Sequence, residues 1–121
     1  MHSPREVVIE KLALEGDQIS SYDLLITEHQ QQVRELEADI AILKSQLYES
    51  LSDPSVDEST LLGRIAILQS EIEKGKVDHF RKIKDLCTPA QMPKYVELTK
   101  ELKNIFMVKG MPGSKRPRGP K

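Results

Sequence analysis

Between residues 19 and 47, apolar side chains recur at Ile19, Tyr22, Ile26, Val33, Leu36, Ile40, Leu43 and Leu47, and His29 fills the one remaining slot. The spacing alternates three and four throughout, which places all of these positions on one stripe of a helix and would scatter them over both faces of a strand. About four heptads are sustained in this way, the pattern of an a/d seam. A helix over residues 17–51 would be roughly 50 Å long at the usual rise of ~1.5 Å per residue. A second stripe reads Leu61, Ile65, Leu68, Ile72, Gly75, His79, Ile83 and Leu86, with a single four-four step at His79 and Ile83. Between the stripes, Ser52-Asp53-Pro54-Ser55 halts the first helix, and Ser55 with Glu58 offers a capping box for the second. The fold class is all-α.

An antiparallel pairing of the two stripes requires facing positions to have a constant sum. Leu47 with Leu61, Leu43 with Ile65, Ile40 with Leu68, Leu36 with Ile72, Val33 with Gly75, His29 with His79 and Tyr22 with Leu86 all sum to 108. Ile26 with Ile83 sums to 109. The connecting loop centres near residue 54, as that register demands. The chain has only five aromatic rings (Phe 2, Tyr 3, Trp 0) in 121 residues, too few for a core built around rings. A long aliphatic seam needs none.

Shorter helices are expected at the ends. Ser3-Pro4-Arg5-Glu6 places serine at an N-cap, proline at the first helical position and glutamate three residues past the cap, with Val8 and Leu12 as the apolar face. Thr88-Pro89-Ala90-Gln91 repeats the device, and Tyr95, Leu98, Leu102 and Ile105 or Phe106 form the stripe that follows. Pro93 predicts an irregular start to this last helix. The order is short, long, long, short: a hooked helical hairpin over residues 1–108, followed by a basic tail rich in proline and glycine over 109–121 that is expected to be disordered. That tail holds five basic residues and no acid, which leaves 13 basic against 19 acidic residues in the body. The whole-chain charge of -1 therefore sums two unlike surfaces and excludes nucleic-acid binding through bulk positive charge. No window reaches the ~18 consecutive apolar residues of a membrane span, and no signal peptide opens the chain. Leu24, Leu25, Ile42, Leu62, Ile67 and Phe80 remain after the seam is assigned, and such a second apolar face points to a homodimer.

Two segments, Leu14-Glu15-Gly16-Asp17-Gln18 and Cys87-Thr88-Pro89-Ala90-Gln91, stand at corresponding places where a helix begins. Each has an apolar residue, a cap position and a glutamine three residues past the cap. The glutamine can return a hydrogen bond to the cap backbone, and Leu14 with Ile19 or Cys87 with Met92 can form a hydrophobic staple. Taken together, the pair resembles the LTxxQ signature of the bacterial periplasmic Spy/CpxP proteins and the related heavy-metal sensors, over about residues 4–107. Glu15 stands where that signature has threonine, and Cys87 where it has leucine. The resemblance implies a dimeric, cradle-like periplasmic domain that binds an unfolded client or an envelope signalling protein, as a chaperone or as a metal-responsive sensor. It also implies an N-terminal membrane anchor upstream of Met1 that could tether the domain to the inner membrane. A structural coiled-coil scaffold with neither metal nor client is the alternative.

His29 and His79 are the candidate metal ligands, since the register sets them in one layer, where two imidazoles can serve Zn, Ni, Co or Cu with Glu28, Asp78 or another subunit completing the shell. A neutral histidine pair is the other reading. The resemblance places His79 where the nickel and cobalt sensors have a metal-binding histidine on the third helix, but Ile83 replaces their methionine and Arg5 and Ile9 fall near their first-helix histidines. His2 is given no role. Cys87 beside a cap could have a lowered thiolate pKa, but a buried structural thiol replacing leucine is the favoured reading. One cysteine excludes an intrachain disulfide and a multi-cysteine zinc site. No nucleophile-base pair and no glycine-rich phosphate loop is present, so no enzymatic activity is expected.

Overall fold

Four α-helices and one 3-10 turn make up the regular structure, with no strand among the described residues: α1 (Pro4–Leu12), α2 (Asp17–Glu49), α3 (Glu58–Leu86), the 3-10 turn Pro89–Gln91 and α4 (Met92–Gly110). The structure, a computed structural model, describes residues 3–110 and the side chains through residue 104. The chain divides into two compact units. One is Ser20–Asp85, and the other joins residues through Ile19 with those from Leu86 onward.

In the unit formed by the chain ends, α1 begins with the expected capping box. Ser3 Oγ accepts from the Glu6 amide at 3.2 Å, and the Ser3 amide donates to Glu6 Oε1 at 3.2 Å. It ends on Ala13 in the left-handed region (φ 57°, ψ 45°). The Ala13 amide donates to the Glu10 carbonyl at 3.2 Å and the Leu14 amide to the Ile9 carbonyl at 3.0 Å. These are the two bonds of a Schellman stop, here built without glycine. Val8, Leu12, Leu14 and Leu98 are buried, and Tyr95 and Leu102 are half-buried along the predicted stripe of α4. Lys11 on α1 pairs with Glu101 on α4 at 3.0 Å, an exposed contact worth ~0–1 kcal/mol. The irregular start expected near Pro93 lies just before it, as the 3-10 turn Pro89–Gln91. Pro93 falls in the first turn of α4, where its missing N–H costs no helical bond. Helix α4 continues two residues past the expected boundary at 108, since neither Lys109 nor Gly110 forbids it and the next proline is Pro112. The Ile105 and Phe106 side chains, His2 and the expected disordered stretch from residue 111 lie outside the described part.

In the unit Ser20–Asp85, Ile40 and Leu43 of α2 and Leu61 and Ile65 of α3 form one buried cluster, with Leu47, Val56, Leu68 and Ile72 packed against it. All but Val56 are stripe residues. Each fully buried aliphatic side chain contributes ~1.5–3 kcal/mol, so this seam is the unit's main source of stability. Helix α2 ends at Glu49, two residues short of the expected Leu51, because the chain unwinds into tighter turns: the amides of Ser50, Leu51 and Ser52 each donate three residues back at 3.1 Å. The capping box expected of Ser55 and Glu58 does not form. Asp53 takes Ser55 into a local turn, accepting from its amide at 3.0 Å and its hydroxyl at 2.7 Å. Asp57 caps α3 instead, accepting from the Thr60 amide at 3.2 Å and the Thr60 hydroxyl at 2.7 Å. The same bonds hold each carboxyl below its ordinary pKa, through Ser55 for Asp53 and through Thr60 for Asp57. No described helix is long and apolar enough to cross a membrane.

Candidate functional site

The two repeated segments meet. Gln18, in the first turn of α2, and Gln91, at the end of the 3-10 turn, face each other with both amides saturated. Gln18 Oε1 accepts from the Glu15 amide at 3.1 Å, and Gln91 Oε1 accepts from the Thr88 amide at 2.8 Å, so each glutamine closes its own cap as the sequence predicts. Gln18 Nε2 donates to the Leu86 carbonyl at 2.8 Å, and Gln91 Nε2 donates to the Ala13 carbonyl at 3.0 Å. Between the side chains, Gln18 Nε2 donates to Gln91 Oε1 at 2.8 Å and Gln91 Nε2 to Gln18 Oε1 at 3.2 Å. A primary amide has two donors and a carbonyl oxygen with two lone pairs, and both residues use all of them.

The arrangement is pseudo-symmetric. Ala13, Glu15 and Gln18 do on one side what Leu86, Thr88 and Gln91 do on the other, each pair 73 positions apart. The left-handed backbone of Ala13 belongs to this clasp, because its carbonyl is a Gln91 acceptor. Capping logic alone did not find the cross-bonds. The available signal was that each glutamine, once its oxygen had closed its own cap, kept two unspent donors. Leu14 is buried, and Ile19, Cys87 and Met92 are half-buried, in keeping with apolar residues flanking the caps. Burial pushes the Cys87 thiol pKa up, opposite to the direction expected of an activated thiolate.

In the other unit, α2 and α3 bring His29 and His79 together face to face, with ring centroids 4.6 Å apart and planes 11° from parallel. Tyr22 lies 6.5 Å from the His79 ring on a near-parallel plane, and Phe80 meets it edge-on at 5.2 Å. A cleft of about 140 Å³ borders the pair, lined among others by Glu28, Gln32, Gly75, Asp78 and Lys82. The His79 pKa is lowered to about 4, by burial first and then by the charges of His29 and Lys82. Burial, then Lys76, lowers that of His29. Both shifts favour the neutral imidazole, and His29 Nδ1 is buried without a hydrogen-bond partner.

In this orientation the two histidines are stacked, not convergent. Imidazole lone pairs lie in the ring plane, so two parallel stacked rings aim their nitrogens along separate planes that do not converge on one ion. A specific zinc site also needs three or four ligands, and among the described residues no group of three or more His, Cys, Asp or Glu side chains is disposed to hold a metal. The register placed the two histidines in one layer, whereas ring orientation decides what they can do there.

Of the second apolar face, Leu24, Ile42, Leu62 and Ile67 are exposed, while Leu25 and Phe80 are half-buried. Ile42 and Ile67 flank a groove that also contains Asp39 and Arg64. Compared with protein-family models, with curated proteins and with solved structures, the chain matches none.

Proposed function

We propose that this chain is a non-enzymatic, protein-binding helical domain of the Spy/CpxP and heavy-metal-sensor type, acting in the bacterial periplasm on an unfolded client or an envelope signalling protein. In this reading α2 and α3 work as an antiparallel hairpin, and two copies associate through its apolar second face. The observation that supports it best is the reciprocal Gln18–Gln91 clasp. It gives the two LTxxQ-like segments one shared structural purpose, with Glu15 contributing its backbone amide where threonine is typical, so the substitution leaves the bonding intact. Exposed Ile42 and Ile67, with Asp39 and Arg64 beside them, give a partner both apolar and charged contacts.

The test is suppression of aggregation of a chemically denatured client, together with sedimentation at micromolar concentration. Equimolar protein should delay aggregation and sediment as a dimer, and Ile42→Asp with Ile67→Asp should abolish both effects. A monomer without effect on any denatured client would overturn the proposal. A second reading, a structural coiled-coil scaffold, is favoured by the aliphatic cluster of Ile40, Leu43, Leu61 and Ile65 between α2 and α3.

A further inference from the structure

The histidine layer interrupts an otherwise aliphatic seam. On one side of it stands Gly75, with no side chain to pack. Farther along lies the cluster of Ile40, Leu43, Leu61 and Ile65, which holds the two helices by burial independent of pH. On the other side Tyr22 and Ile83 are buried. We propose that the His29–His79 stack is a proton-operated joint. Neutral rings close the layer, and protonation of both sets like charges face to face, which drives the rings apart and turns them toward the carboxylates of the adjoining cleft.

Face-to-face contact at 4.6 Å suits two neutral rings, whereas burial disfavours a charged one and two protonated rings at that distance repel. Lys76 opposes protonation of His29 and Lys82 that of His79 in the closed state. Glu28 from α2 and Asp78 from α3 line the cleft, so a ring that leaves the stack meets an acceptor across the seam. Part of the competing charge is already engaged: Asp78 pairs with Arg81 at 3.0 Å and Lys76 with Glu73 at 3.1 Å. The unpartnered His29 Nδ1 is the atom that gains most from opening, since it exchanges a dry site for water or a carboxylate.

The sign follows from linkage. Both histidines have folded pKa values below the unfolded value near 6.5, so the unfolded or opened state binds more protons in the window below it. Closure of the joint is therefore complete above pH ~6.5 and is lost as pH falls toward about 4, the His79 value.

The experiment is an NMR titration of the full chain from pH 8 to 3.5, following the imidazole resonances and the amide protection corrected for intrinsic exchange. His79 should titrate near 4, well below its own unfolded value near 6.5, the two curves should be coupled, and protection around residues 26–33 and 75–83 should fall at least tenfold while that of Ile40 and Ile65 holds. In His29→Gln the His79 midpoint should rise, and in His29→Gln/His79→Gln the local loss of protection should vanish. Far-UV circular dichroism at pH 7 checks that the variants fold, and the wild-type curves decide the matter if they do not. Uncoupled titration of both rings near 6.5, or opening that persists in the double variant, would overturn the proposal. So would stoichiometric displacement of both sets of ring resonances by zinc or nickel at pH 7, because the pair would then be a ligand set.

Discussion

Replacing Gln91 by alanine removes four hydrogen bonds at once: those to the Thr88 amide, to the Ala13 carbonyl and two to Gln18. A net value of ~0.5–1.5 kcal/mol per bond sets the scale, and the least accessible of the orphaned groups fall at the costly end. Thr88 is exposed, so water replaces Gln91 there at little cost. Ala13 and Gln18 are half-buried, and for them replacement is incomplete. The expected loss is about 2–3 kcal/mol, or roughly 10–20 °C in melting temperature for a domain of this size. Gln18→Ala should cost a similar amount, since it also removes four bonds. Because two of those are the same bonds, the double variant should fall short of the sum by ~1–2 kcal/mol. Gln91→Glu keeps the length but turns both donors into acceptors, setting a carboxylate against the Ala13 carbonyl and Gln18 Oε1. At pH 7 it should be at least as harmful as alanine. Urea denaturation followed by circular dichroism measures all four variants. Single alanine variants losing under ~0.5 kcal/mol, strict additivity, or a neutral Gln91→Glu would each refute the clasp as a stabilising unit.

Ala13→Gly should stabilise the chain by ~0.5–1 kcal/mol, because the left-handed backbone at φ 57° costs a β-carbon more than glycine's added unfolded-state freedom takes back. A valine there should destabilise it, and thermal melts distinguish the two. Gly63→Ala should add close to the full helix-propensity gain of ~1 kcal/mol, since nothing lies within 4 Å of the new carbon. Gly75→Ala should gain less, because its carbon would meet Gln32 Oε1 at 2.7 Å and that side chain must swing away. Chemical denaturation of both variants should rank Gly63→Ala above Gly75→Ala, and a destabilised Gly75→Ala would mean that Gln32 is held in place.

Much of the helical architecture is legible because it rests on local rules and simple periods. The three-four spacing finds Ile40, Leu43, Leu61 and Ile65, all buried in one cluster, and the Ser3 capping box has both its bonds. The α3 cap is misread because three candidates, Asp53, Ser55 and Asp57, lie within five residues, and a short motif cannot rank them. Asp53 binds Ser55 through two bonds, which removes that serine from the competition and leaves Asp57 to accept from Thr60. Val56 joins the cluster from the loop, where no period applies.

The candidate sites divide along a different line. A capping glutamine can be identified from its offset, but what its remaining donors reach depends on which carbonyls the tertiary fold delivers. Ala13 and Leu86 arrive from separate parts of the chain, and no spacing rule names them. For the histidines the register supplies proximity, and proximity is common to a ligand pair, a hydrogen-bonded pair and a stack. Those three differ in side-chain rotamer, including the broad torsion about the Cβ–Cγ bond, which sequence does not encode. The near-parallel planes of His29 and His79 select the stack. A stacked pair leaves added zinc unbound at constant pH, whereas a ligand pair takes the metal up through its neutral rings, so the two arrangements predict different responses to added zinc.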